Sequence, residues 1–225
     1  MKSIIIGGVI VLSSVMAPQI IQAQGTMTCL SNLGQASAGS LAVGSDSWLA
    51  VGFGTGNNVS GYTLDSIQLG MADASGNPSG FAVMLYSSNI GGGVIPRSSL
   101  GTLDGSLSPV VGGIFTYAPA SSLTLSPNSD YFIVLTAGTT VANGAYDWSY
   151  ANTYSYSQSG GWVAPLEGGA IDNYQSSDGS NWNFVGGPDQ FAITVTDAPE
   201  PGILGLLGLG GLAFFCHRRK SKAVQ

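Results

Sequence analysis

No long stretch of this 225-residue chain spaces its apolar residues at the 3.6-residue helical period. Short runs alternate instead, broken by Gly, Asn, Pro and Ser. In residues 64–71 the alternation puts Ile67, Leu69 and Met71 on one face. Residues 81–86 (FAVMLY) and 131–136 (YFIVLT) are apolar almost throughout, as strands buried on both faces are. Residues 114–117, 122–126, 145–150 and 191–195 supply further short strands, the third alternating Tyr146, Trp148 and Tyr150. Residues 73–80 (DASGNPSG), 89–96 (NIGGGVIP) and 127–130 (PNSD) carry turn chemistry. Helix bundles and βαβ sheets need long amphipathic segments, and solenoids need an internal repeat. Neither is present, so the pattern predicts an all-β antiparallel β-sandwich of jelly-roll type.

The two ends read differently from this body. Met1 and Lys2 precede an apolar run over residues 4–16, with the small residue Ala23 behind it, which predicts a secretory signal peptide over residues 1–23. Ile21 at the −3 position is not small, so the cut can fall a residue or two away. At the other end, residues 202–216 carry no charge. As a single transmembrane helix they would be about 22 Å long, against a hydrocarbon core of about 30 Å, and five glycines weaken the run. Arg218, Arg219, Lys220 and Lys222 form a stop-transfer cluster on the cytoplasmic side. Pro199 and Pro201 bracket Glu200 and end the helix on the outer side. The expected organisation is a signal peptide at 1–23, an extracellular β-domain at 24–198 and a membrane tail at 199–225.

The tail also resembles a known signal. Pro199-Glu200-Pro201, the Gly/Leu-rich run and Arg218-Arg219-Lys220, in that order, are similar to the PEP-CTERM sorting signal, over about residues 198–222. The resemblance implies processing at or near Pro199-Glu200-Pro201 by an exosortase, an integral-membrane protease-like enzyme. The protein would then stay briefly in the inner membrane before reaching the envelope or the extracellular space. Residues 64–69, 81–86, the Leu123/Leu125 strand and residues 129–135 together resemble the choice-of-anchor R domain, over about residues 48–196. That likeness implies one extracellular β-domain paired with varying surface anchors, and it maps no catalytic residue onto this chain.

Composition narrows the chemistry. Eleven of the twelve acidic residues lie between residues 24 and 198, with Arg97 the only base there, a net charge of −10. One cation cannot neutralise a run of phosphates, which argues against nucleic acid and anionic lipid as partners. The single histidine, His217, sits in the tail, so the body lacks the base for Ser-His-Asp or Cys-His catalysis and the His clusters of zinc, copper or iron sites. Cys29 and Cys216 lie on opposite sides of the expected membrane, and Cys29 reads as a buried thiol. No cofactor is expected. Calcium is the ion such an oxygen-rich body would take, with residues 73–77 and 178–181 as the best loops, yet both read more simply as turns.

The most distinctive patch is aromatic. Tyr146, Trp148, Tyr150, Tyr154, Tyr156, Trp162, Tyr174, Trp182 and Phe184 crowd a segment rich in Ser, Asn, Gly and Gln. Rings beside amides and hydroxyls hold sugars, the ring face meeting C–H and the polar groups meeting hydroxyl. Tyr150, Tyr154, Tyr156 and Trp162 are the candidate glycan contacts. Tyr146, Trp148 and Phe184 are expected to plug the core. Three functions follow. The first is a non-enzymatic surface or matrix protein associated with exopolysaccharide or biofilm. The second is a carbohydrate-binding module with the same address. The third and weakest is a secreted hydrolase using two carboxylates.

Overall fold

The computed structural model describes residues 25–88, 94–169 and 171–198. The expected signal peptide, PEP motif, tail helix and basic cluster lie outside them. Fourteen strands follow one another: β1 (Thr26–Ser31), β2 (Ser37–Val43), β3 (Trp48–Gly54), β4 (Tyr62–Gly76), β5 (Ala82–Ser88), β6 (Pro96–Asp104), β7 (Gly113–Pro119), β8 (Thr124–Leu125), β9 (Asp130–Thr136), β10 (Gly144–Ala151), β11 (Ser157–Gln158), β12 (Asn173–Ser176), β13 (Asn183–Phe184) and β14 (Phe191–Asp197). One 3-10 turn, Val141–Asn143, leads into β10. Among the described residues no helix is long and apolar enough to cross a membrane.

All strand pairings are antiparallel, as alternation with short turns requires. The strands form one continuous curled sheet in the order β11-β1-β14-β4-β7-β6-β5-β9-β3-β12-β13. The long β4 organises one half. Residues 62–69 pair with β14, and beyond them Met71–Gly76 pairs with β10, which carries β2 on its far side. The β6–β7 pairing passes the chain to the other half, built on β5, β9 and β3.

Alternation decides what each half buries. Leu49, Val51 and Phe53 of β3, Val83 and Leu85 of β5, and Ile133 and Leu135 of β9 enter one core. They meet Ile67 and Leu69 of β4, Tyr117 of β7, Tyr146 and Trp148 of β10, and Ile193 and Val195 of β14. This is a sandwich-like closure, with the two inner faces sharing their apolar side chains. The alternate residues Ala50, Phe132 and Val134 point the other way and are equally buried, under Trp48, Met84, Tyr86, Val94, Tyr174 and Trp182. Covering both faces explains why the runs at 81–86 and 131–136 are apolar without alternation.

Three local expectations change. β4 runs through Gly76, so the first half of the expected 73–80 turn is strand, paired with β10 through Ala145 and Gly144. The strand expected at 122–126 contracts to Thr124–Leu125, paired with Thr63 and Tyr62. Phe184, expected in the core, is 54% exposed, because the two-residue β13 is an outer strand with the β12 ladder on one side only. Cys29 is a free, fully buried thiol in β1, and burial pushes it up to about 11.

Both ends of the body emerge together. Thr26 of β1 faces Thr196 of β14, and Ala198 donates its N–H to the Gly61 carbonyl at 3.0 Å.

Candidate functional site

At the other end of β14 the chain forms a cleft of about 800 Å³, walled by Tyr150, Tyr154, Phe184 and the 185–188 loop, with Asn152, Thr153 and Glu167 at its polar margin. A second cleft of about 380 Å³, lined by Tyr156, Gln158, Trp162 and Ala164 among others, adjoins it, since Tyr154 and Leu166 line both. Each of the four candidate glycan contacts therefore lines one of the two hollows.

Local chemistry sets these rings. Tyr150 is the penultimate residue of β10, and its hydroxyl lies where a side chain on the paired Gly39 would sit, 2.5 Å from that position, so only glycine lets the ring lie there. The Tyr154 hydroxyl donates to Asp172 Oδ1 at 3.2 Å and accepts the Gly187 N–H at 2.7 Å. Gly186 and Gly187 have φ of +70° and +95°, the left-handed turn that brings this N–H back to the ring. Burial and the neighbouring Asp172 hold the Tyr154 phenol up at about 12.

The other two rings give most of their surface to the fold. Trp162 is 3% exposed and stacked on Phe53 at 5.8 Å. Tyr156 packs on Phe191 at 5.7 Å, and its hydroxyl is buried without a hydrogen-bond partner. Tyr150 and Tyr154, both half-buried, and the exposed Phe184 are the rings that wall the larger cleft. Phe184, assigned to the core from sequence, is thus a cleft wall. Its position in a polar segment was the available signal.

Behind the wall sits a buried polar cluster that composition does not reveal. Asp172 accepts the N–H groups of Gly168 and Asn173, both at 2.8 Å, besides the Tyr154 hydroxyl. Asn32 clamps the entry to β14: its amide donates to the carbonyls of Pro188 and Asp189, and its oxygen accepts the Phe191 N–H at 2.8 Å. Asp189 is 1% exposed, and its Oδ1 has no hydrogen-bond partner. Burial, with Asp172 nearby, raises its carboxyl well above the usual range.

Among the described residues lining the two clefts, Glu167 is the only acid and there is no base. A glycosidase needs two carboxyl groups flanking one bond, whereas Asp172 and Asp189 are fully covered. Among the described residues no group of three or more His, Cys, Asp and Glu is placed to hold a metal ion. Of the two segments read as calcium candidates or turns, 178–181 is a turn that uses its carboxylate internally, while 73–76 is the end of β4 and its carboxylate holds a distant loop. Asp178 accepts from the N–H groups of Ser180 and Asn181 and from the Ser176 hydroxyl, which holds it below the usual carboxylate range. Asp73 accepts the Gly112 N–H at 2.7 Å.

No curated protein matches the chain, and no solved structure matches it. One family does match, at the point where β14 ends. Residues 197–220 carry a PEP-CTERM protein-sorting motif, which implies export, sorting to the cell envelope and processing by an exosortase-type membrane enzyme.

Proposed function

We propose that this is a non-enzymatic surface or extracellular-matrix protein that holds exopolysaccharide through the paired clefts once its tail has been processed. The carrying observation is the placement of the larger cleft. Gly187 and Pro188 line it just before β14, and the sorting motif begins at Asp197, where β14 ends. A seven-residue strand spans about 23 Å, so the cleft and the start of the sorting motif lie at opposite ends of β14. Processing at Pro199-Glu200-Pro201 leaves the cleft intact. The single carboxylate in the clefts supports the same reading. The β-domain is bounded by a signal peptide at 1–23 and by a short tail helix with its basic cluster.

Two experiments test this. Processed protein from its host should be retained on the host's exopolysaccharide. Tyr150→Ala and Tyr154→Ala should each weaken retention about two- to tenfold, since an aromatic contact contributes about 0.5–1.5 kcal/mol beyond its area. Full retention by both variants would remove the cleft from the function. Separately, the intact mass of the envelope or medium form should end near residues 198–201. Neutralising Arg218, Arg219 and Lys220 should cause premature release or mis-sorting. A mass that includes residues 202–225 would instead describe a permanently tail-anchored protein.

A further inference from the structure

We infer that the paired clefts select uncharged glycan segments and reject uronate-bearing ones. This inference rests on the glycan reading above and adds the ligand's charge class to it. The clefts present ring faces at Tyr150, Tyr154 and Phe184, and hydroxyl and amide groups at Thr153 and Asn152. These suit the C–H faces and hydroxyls that every neutral pyranose offers. A sugar carboxylate asks for something else, a cation or a set of charge-assisted donors. Among the described residues neither cleft has a basic side chain, and the one charge lining them is the exposed Glu167 carboxylate. Nor does the Tyr154 hydroxyl supply a donor, because its proton is committed to Asp172.

The rest of the body deepens the asymmetry. Its net charge is −10, and Arg97, its only base, lines a different hollow with Ile95, Pro96, Gly179 and Ser180. An approaching polyuronate therefore meets a negative body at long range and Glu167 at contact. Repulsion of this kind is screened by salt, with a Debye length of about 8 Å at 0.15 M and about 3 Å at 1 M. Stacking on a neutral sugar carries no such dependence.

The test uses processed protein from its host and a panel of neutral oligosaccharides (glucans, galactans and N-acetylhexosamine chains) beside oligouronates of matched length. At 0.15 M salt the best neutral probe should bind about tenfold or more tightly than any oligouronate, and at 1 M the gap should narrow through stronger uronate binding. Glu167→Gln should narrow the gap at low salt, and Asn152→Asp should widen it. Oligouronates binding as well as neutral probes at 0.15 M would overturn the charge inference and leave the glycan reading standing. A salt-independent gap would also overturn it, since shape would then be the discriminator. Binding of no probe, neutral or charged, would overturn both.

Discussion

Replacing Trp162 with alanine should destabilise the fold by about 3–5 kcal/mol, the usual range for deleting a buried large aromatic ring. The ring stacks on Phe53 with 13° between planes and meets Tyr62 edge-on at 5.1 Å. Phe53 in turn lies 5.9 Å from Tyr131, so Trp162 links Tyr62 to a row of rings reaching into β9. The backbone fixes it there as well, because Val163 and Gly54 exchange both N–H···O bonds at 2.9 Å and tie the 159–164 loop to the end of β3. For a domain of this size such a loss lowers Tm by about 10 °C. Denaturant unfolding of Trp162→Ala and Trp162→Phe checks it. The phenylalanine variant keeps a ring on Phe53 and should recover more than half of the loss. A cost below about 1 kcal/mol for the alanine variant would place the ring in the cleft instead of the core. Lost glycan retention in Trp162→Ala would accordingly report unfolding, and Tyr154→Ala also removes a partner of the buried Asp172 and of Gly187, so Tyr150 is the more informative cleft variant.

Asp189→Asn should make the protein more stable at neutral pH and flatten its pH dependence. The native carboxyl is buried, lacks a hydrogen bond at Oδ1, and has its pKa raised by desolvation and by Asp172. Between the unfolded value near 3.9 and the raised native value, the native state holds a proton that the unfolded state has released. Stability therefore falls as pH rises through that window, by about 1.4 kcal/mol per pH unit for one such group. Asparagine has no proton to hold, so the variant should match the parent near pH 4 and exceed it increasingly above. Burial also raises the carboxyls of Asp130, Asp147 and Asp172, so a shallower slope of the same sign should persist in the variant. Asp178 acts in the opposite sense: its folded-state carboxyl is depressed, so its contribution is present above the unfolded pKa and is lost at more acid pH. Thermal unfolding from pH 4 to 8 for both proteins reads this directly, and identical slopes would sink it.

Much of the fold was legible because alternation and apolar runs are local. The expected strands at 64–71, 81–86, 114–117, 131–136, 145–150 and 191–195 all lie in observed strands or overlap them closely. β3 (WLAVGFG) was not singled out, although it is central, pairing β9 on one side and β12 on the other. Gly52 and Gly54 break its apolar run and weaken its strand signal. At Gly52 the reason for the residue is tertiary, since a side chain would collide with Ile171 and Phe132 at 2.8 Å. β1, β2 and β12 were missed because short, Ser-, Gly- or Asn-rich strands carry little period of their own and are specified by the ladder beside them.

The site divides along the same line. Aromatic density drew attention to residues 146–184, yet it could not separate Trp148 and Trp162, whose rings are enclosed, from the half-buried Tyr150 and the exposed Phe184. Which ring is enclosed depends on the strand that crosses it, and those strands are distant in sequence. By itself the sequence determined the all-β class, the acidic and histidine-free character of the body, and the sorting motif at residues 197–220, because each is written in local composition, period or short-range order. Only the tertiary structure decided that Tyr154, Asp172 and Gly187 meet, that Asp189 is enclosed without a partner at Oδ1, and that the larger cleft lies one strand-length from the sorting motif. Those facts arise from long-range pairing, where one residue of register moves a side chain from core to surface.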